Sequence, residues 1–295
     1  MNKPIIIVAG PTASGKTSLA IDLAKKFNGE IVNADSRSIY REMDVATSKP
    51  TTEERQEIPH HLIDIVKPDE TFSLSDYKKL ANSAISEIQN RGKIPFLVGG
   101  TGLYLDSIAY DYNLAETKPN LVLRKELEKS STTELAEKLK LLDPNTYKII
   151  DLKNKRRLIR AIEVASQTNE SFTSLQTKKP KPANILYLVL DVPRDVIYKR
   201  IGQRIEKWHT EGLVKEAEDL TKKYSINLPS MSAIGYKEIG EYINHKVSLP
   251  EALENMKKKT RNYAKRQITW FGKNKDIIYI KNGKEATRII EIFLK

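Results

Sequence analysis

Short unbroken apolar runs alternate with stretches of helical spacing along the first hundred residues, and that alternation sets the expected fold. Ile5–Ala9 and Ile94–Val98 read as strands covered on both faces, because an unbroken apolar run leaves no side for water. Glu30–Ala34 reads as a shorter strand ending at Asp35-Ser36, and His61–Val66 as an extended stretch closed by Lys67-Pro68-Asp69. Between them, Lys16–Phe27 and Ser75–Arg91 have the spacing of helices, the second through Leu80, Ala84 and Ile88. Strand–helix alternation of this kind predicts a doubly wound α/β sheet with mainly parallel strands. Ligands of such sheets sit beyond the carboxyl ends of the strands.

The pattern changes after about Asn113. From there to Gln176 no strand is evident, and helices are predicted at Leu121–Lys129, Thr132–Leu142 and Lys155–Ser166. Residues 113–182 therefore read as an inserted all-helical domain, ending in the basic, proline-bearing hinge Lys178–Pro182. Residues 1–112 and 183–295 form the core domain with a helical C-terminal part. In the latter, Ile185–Leu190 is a buried strand, Asp191-Val192-Pro193 starts a helix running to about Trp208, and Leu249–Phe271 is the longest and most basic helix. Asp276–Ile280 reads as a last strand before a short helix.

Composition narrows the class. The 295 residues are 39% hydrophobic and 30% charged, enough for a buried core, and no apolar run is long enough to span a bilayer. A cytoplasmic location is expected, with no membrane partner. There is no cysteine, which excludes disulfides and thiolate metal sites. The net charge of +12 suits a polyanionic partner and equally a lysine-rich soluble surface.

The chemistry is densest at Gly10-Pro11-Thr12-Ala13-Ser14-Gly15-Lys16-Thr17, between the first strand and the first helix. This G-x-x-x-x-G-K-T pattern is a phosphate cradle, and it makes the expected fold P-loop NTPase-like. Its backbone N–H groups and the helix N-terminus face an anion, Lys16 adds a point charge, and the Thr17 hydroxyl is placed to ligate Mg²⁺. Asp35, at the end of the second strand, can accept a proton from a nucleophile or hold Mg²⁺ through water. The strand Ile94–Val98 ends in Gly99-Gly100-Thr101 rather than in the acid common among phosphate-loop NTPases, which argues against an ordinary ATPase. Arg200 and Arg204 lie one helical turn apart and can clamp a diphosphate together. Arg156, Arg157 and Arg160 form one basic face. Lys257, Lys258, Lys259, Arg261, Lys265 and Arg266 form another, interleaved with Tyr263 and followed by Trp270 and Phe271, a mixture that suits RNA with an unstacked base. His60-His61 has no accompanying ligand spacing and is discounted as a metal site.

Taken in order, these stretches resemble the bacterial tRNA dimethylallyltransferases. The resemblance is carried nearly end to end by the loop Gly10–Thr17, N-A-D-S-R-S-I-Y at Asn33–Tyr40, P-H-H-L-I-D at Pro59–Asp64, L-V-G-G-T-G-L-Y at Leu97–Tyr104, R-R-L-I-R-A-I-E-V at Arg156–Val164, A-I-G-Y-K-E at Ala233–Glu238 and A-K-R-Q-I-T-W-F at Ala264–Phe271. It implies transfer of a dimethylallyl group from its diphosphate to the exocyclic amine of the adenine 3′ to the anticodon, with Mg²⁺; a monomer is expected. It implies that Gly10–Thr17 with Arg200 and Arg204 bind the diphosphate, that Thr12 and Lys16 sit near the departing group, and that Asp35 is the general base. Thr101 would touch the target nucleotide. Ser36, Arg37, Ser38, Arg124, Arg156, Arg157, Arg160, Lys237 and Arg266 would contact the anticodon stem-loop. Arg156 stands where the family usually has Gln, although a cation there still suits RNA. The residues leave two other classes open: a small-molecule kinase using ATP, with Arg200 and Arg204 as lid, and a non-catalytic, nucleotide-gated RNA-binding protein.

Overall fold

The computed structural model describes residues 3–295 except 56, 115, 116, 118, 119, 169, 176 and 178. The chain divides into two compact units, Met1–Ala109 with Lys181–Lys295, and Tyr110–Pro180. The first opens with β1 (Ile5–Ala9), α1 (Lys16–Lys26), β2 (Gly29–Asn33), β3 (His60–His61), α2 (Leu74–Asn90), β4 (Ile94–Gly99) and α3 (Gly102–Ala109). The second holds α4 (Leu121–Leu127), α5 (Thr132–Leu142), α6 (Pro144–Tyr147), α7 (Lys155–Thr168) and α8 (Phe172–Leu175). The first unit resumes with β5 (Ile185–Leu190), α9 (Arg194–Thr210), α10 (Leu213–Lys223), α11 (Tyr236–Ile243), α12 (Leu249–Phe271), β6 (Ile278–Ile280) and α13 (Gly283–Phe293).

The six strands form one sheet in the order β3-β2-β4-β1-β5-β6, and every pairing is parallel. This is the doubly wound α/β architecture expected. Ile6, Val8, Ile31, Phe96, Val98 and Leu188 pack on one face against Ala20, Ile21, Leu23 and Ala24 of α1 and Ala286 and Ile290 of α13. α2 covers β2 and β4 and packs on α3. A further layer, α9 to α12, closes around Ile39, Tyr40 and Met43 through Ile197, Ile201, Trp208, Leu220, Tyr236, Ile239 and Met256.

Two expectations need correction. His61–Val66 is not a continuous extended stretch: pairing stops at His61, because Leu62 and Asp64 take left-handed φ angles of 63° and 57°. Val66 returns only as a single bridge to Tyr40. The last strand begins at Ile278 rather than Asp276, whose N–H is taken by the Asn274 side chain.

The helical unit has its own core of Leu127, Leu135, Leu139, Leu158, Ile162 and Phe172. Ser131 and Glu134 start α5 with a reciprocal capping box. Asp143 is buried and caps α6 by accepting from the Thr146 N–H, while its carboxylate also takes the Ser171 hydroxyl and the Phe172 N–H. Lys178, with which the predicted hinge begins, and Gln176 lie outside the described residues.

Candidate active site

Three loops leave the same edge of the sheet from the adjacent strands β2, β4 and β1. Register places Asn33 beside Val98 and Ala9 beside Gly99, so the phosphate loop, Asp35 and Thr101 start from neighbouring positions. The chain continues to pair past β2: the Ala34 N–H donates to Val98 O at 2.7 Å, and the Thr101 N–H donates to Ala34 O at 3.2 Å. A Cβ at Gly99 would lie 2.1 Å from Ala34 O, so only glycine permits this approach.

The phosphate loop turns through two left-handed residues, Ala13 (φ 62°) and Gly15 (φ 94°), before α1 starts at Lys16. Gly10, Pro11, Ala13 and Ser14 are buried, Thr12 and Lys16 half-buried, and Gly15 and Thr17 exposed at the helix start. The Lys16 ammonium donates to Pro11 O at 3.4 Å. Burial lowers its pKa to about 8; Asp35 opposes the shift and Arg204 adds to it. From α9, Arg200 donates to Ser14 O at 3.0 Å and Ala13 O at 3.4 Å, and Arg204 donates to the Thr12 hydroxyl at 3.4 Å. Burial lowers the Arg204 pKa, with Glu54 opposing and Arg200 adding to the effect. Among the described residues neither arginine is ion-paired with a carboxylate, so the loop gathers Lys16, Arg200 and Arg204 without an acid bonded to them.

Across from the loop, Asp35 is set by an Asx turn. The Asn33 side chain accepts from the Asp35 N–H at 3.2 Å and donates to Leu62 O at 3.0 Å, and Asp35 Oδ1 accepts from the Arg37 N–H at 2.8 Å. Thr101 Oγ1 accepts from the Ser36 N–H at 3.0 Å, and the Tyr263 hydroxyl lies beside it. The Tyr263 pKa is pushed up to about 12, first by burial and then by the Asp35 charge. Tyr104 lies stacked on Tyr77 with ring centroids 3.9 Å apart, and its pKa is raised by burial, Tyr40 and Asp35. The site thus joins the cations Lys16, Arg200 and Arg204, one carboxylate and a wall of tyrosines.

The remaining expected residues fall into distinct settings. Ser38 is buried, and its carbonyl accepts from the Asp64 N–H. The Arg37 guanidinium donates to Pro229 O at 3.0 Å and Ser230 O at 3.3 Å. Lys237 and Arg266 are exposed, Arg266 over the Tyr263 ring at 5.6 Å. In the helical unit Arg156 and Arg157 are exposed on α7. Arg124 and Arg160 are instead held by Glu163, a fully buried carboxylate 2.7 Å and 2.5 Å from their guanidinium nitrogens. Burial alone would raise the Glu163 pKa, but the two arginines and the Asn120 N–H hold it below the usual carboxylate range.

The single basic face expected on α12 is broken up. Lys257 pairs with Glu206 and Glu254, Lys259 with buried Glu238, and Arg261 lies over the Tyr198 ring. Lys258, Lys265 and Arg266 remain exposed. Trp270 is partly core: its indole N–H donates to buried Asp106 at 2.9 Å. His61 serves Glu30, whose carboxylate also takes Arg91 and Lys93. Gln267 lies in the motif Ala264–Phe271 but is given no role by sequence reasoning, although it touches two site loops; its signal is an amide on the mostly apolar face of α12.

An all-parallel sheet with a G-x-x-x-x-G-K-T loop after its central strand defines a P-loop-type α/β protein. Residues 38–275 match the model of the IPP transferase family, and the chain belongs to that family. It is 44% identical over 278 residues to a tRNA dimethylallyltransferase of Bacillus velezensis, covering 91% of this chain and 88% of the relative. Among solved structures, the tRNA isopentenylpyrophosphate transferase of Bacillus halodurans superposes with a TM-score of 0.74 at 38% identity, over 99% of this chain and 95% of that one. A eukaryotic dimethylallyltransferase acting on tRNA gives a TM-score of 0.83 at 29% identity, over 95% of this chain and 74% of the other.

Proposed function

We propose that this chain transfers a dimethylallyl group from dimethylallyl diphosphate to the exocyclic amine of the adenine 3′ to the anticodon in tRNA. The observation that carries the reading is the pairing of an acid-free phosphate loop with Asp35 and Thr101 at neighbouring strand ends, in a chain of this family. The bond between the allylic carbon and the diphosphate oxygen breaks, and its electrons leave with pyrophosphate. The amine nitrogen bonds to that carbon, and Asp35 takes the amine proton.

The barrier falls as charge building on pyrophosphate meets loop amides, Lys16, Arg200 and Arg204 in a site sheltered from water. An adenine amine is a weak nucleophile because its lone pair is spread into the ring. Holding it close to the carbon and removing its proton at Asp35 answers that weakness. Thr101, fixed by the Ser36 N–H, would place the target nucleotide. A base in an unpaired loop leaves its stack at small expense.

The donors fit Mg²⁺. Thr17 offers an exposed hydroxyl at the helix start, and Mg²⁺ binds through few protein oxygens while keeping waters and phosphate oxygens. When bound, the ion would add positive charge at the leaving group. The helical unit, with exposed Arg156 and Arg157, would hold the anticodon stem-loop together with Ser36, Arg37, Ser38, Lys237 and Arg266, while Arg124 and Arg160 hold Glu163 instead. The protein would act as a monomer in the cytoplasm; among the described residues no helix is long and apolar enough to cross a membrane. The kinase alternative is not favoured, because the relatives named above are transferases acting on tRNA.

The test is mass spectrometry of an anticodon stem-loop RNA incubated with the protein, Mg²⁺ and dimethylallyl diphosphate. A prenyl-sized gain on the adenine 3′ to the anticodon is expected. Unmodified RNA, with ATP-dependent phosphorylation of a metabolite instead, would overturn the reading.

A further inference from the structure

We infer that Gln267 is the positioning residue that sets the phosphate loop against the acceptor turn; the inference rests on the proposed reaction. Long helix α12 turns Ala252, Met256, Thr260, Ala264, Gln267 and Phe271 inward. At 5% exposure, Gln267 places a primary amide on that mostly apolar face. A buried amide is tolerated only when its polar atoms are paired. Here each end serves a different loop. Oε1 accepts from the Thr12 N–H at 2.8 Å, and Nε2 donates to Gly100 O at 2.8 Å.

The neighbouring geometry is built around this bridge. A Cβ at Gly100 would lie 2.3 Å from Gln267 Nε2, so the turn reaches the amide only as glycine. One turn on, Trp270 packs so closely on Gly102 that a Cβ there would lie 2.3 Å from its ring. On the other side, the Tyr263 hydroxyl lies beside Thr101. The helix thus holds three members of the acceptor turn, Gly100, Thr101 and Gly102, and through Gln267 ties that turn to the phosphate loop.

Two consequences follow for the reaction. The Thr12 N–H is committed to Gln267, so the diphosphate is left to the amides later in the loop. Fixing Thr12 also fixes the hydroxyl to which Arg204 donates. On the acceptor side, the turn held through Gly100 carries Thr101, which takes the Ser36 N–H next to Asp35. One amide therefore sets the separation between the allylic carbon and the nitrogen that attacks it. Reacting atoms must approach to roughly 3–3.5 Å, and a misplacement of about 1 Å lowers the rate about 100-fold. Glutamate would not substitute, because its carboxylate has no proton to give Gly100 O. Protonated, it would reproduce both bonds.

That equivalence supplies the experiment. Steady-state prenylation of an anticodon stem-loop is measured for the wild type, Gln267→Met and Gln267→Glu from pH 6 to pH 8.5. Gln267→Met, similar in volume but without either bond, is expected to lose at least ~10-fold in kcat with KM for both substrates within ~3-fold. Gln267→Glu is expected to be impaired at high pH and to recover toward the wild type as pH falls and the introduced carboxyl, its pKa raised by burial, takes up its proton. Lys16 and Arg204 around the loop and Tyr263 on α12 face the same region, and the ratio to Gln267→Met at each pH cancels the part of their titration that the proteins share. A Gln267→Met kcat equal to the wild type, or a Gln267→Glu to Gln267→Met ratio that is flat with pH, overturns the inference. Where Gln267→Met folds poorly, the Gln267→Glu profile is divided by the wild-type profile instead, and a flat ratio overturns the inference in the same way. Wild-type protein that prenylates no RNA contradicts the proposed function itself.

Discussion

Two pairs of arginines, one in each unit, use the same side chain in opposite ways. Arg124 and Arg160 converge on Glu163, and the buried carboxylate satisfies them within the protein. Arg200 and Arg204 converge on the phosphate loop, where among the described residues their hydrogen bonds go to carbonyl oxygens and a hydroxyl, and Glu54 acts on Arg204 by charge without an ion-pair contact. A guanidinium partly removed from water without a carboxylate is electrostatically incomplete, and burial has already lowered the Arg204 pKa. In the proposed reaction an incoming diphosphate would complete the second pair; the first pair is already held by Glu163. Arginine in a motif is therefore not a role in itself: the partner decides whether it holds the fold or waits for an anion.

Breaking each pair should separate these roles. Arg204→Ala is expected to lower kcat/KM by about 100- to 1,000-fold, the scale of losing one donor to a developing anion, with little change in melting temperature. Equal losses of activity and stability would erase the contrast. Glu163→Ala should act the other way. Removing one partner of a buried ion pair costs about 3–5 kcal/mol, so chemical denaturation should show a destabilised protein. Acid has the same direction of effect: the Glu163 pKa is depressed, so its stabilisation is complete above the ordinary carboxylate range and is lost as pH falls through the folded-state value.

A subtler contrast lies in pH. Lys16 keeps its proton below about 8 and loses it above, so kcat/KM for dimethylallyl diphosphate should fall as pH rises through that value. Lys16→Arg should remove this limb at whatever activity it retains. A wild-type profile flat to pH 10 would contradict the Lys16 assignment. The smallest effect belongs to exposed Arg157. Its replacement by Ala should weaken stem-loop binding evenly across sequences and reduce the slope of log affinity against log salt by about one charge. Unchanged salt dependence would place the RNA elsewhere.

Much of this was legible from residues alone because local chemistry dictates it. The strands β1 and β5 and the helices α5 and α12 begin and end where apolar runs, capping boxes and the phosphate-loop glycines say they should. Other features are fixed by tertiary partners that a linear pattern does not display. The stretch after His61 fails to extend because Leu62 and Asp64 turn left-handed to meet the Asn33 side chain and Ser38 O. α3 has no polar face to betray it, since Tyr104–Ala109 are all buried. The α12 lysines look alike in sequence, but Glu206 and Glu238, which neutralise two of them, lie more than twenty residues away. Gln267 is the clearest case, because its partners stand 167 and 255 residues earlier.

The most direct test of the account is single-turnover transfer by Asp35→Asn, measured beside its affinity for the stem-loop. The substitution keeps shape and removes the proton acceptor. The account predicts a rate lower by about 100- to 10,000-fold, with RNA affinity within ~3-fold of the wild type. Transfer at the wild-type rate would remove Asp35 as the base and contradict the central claim.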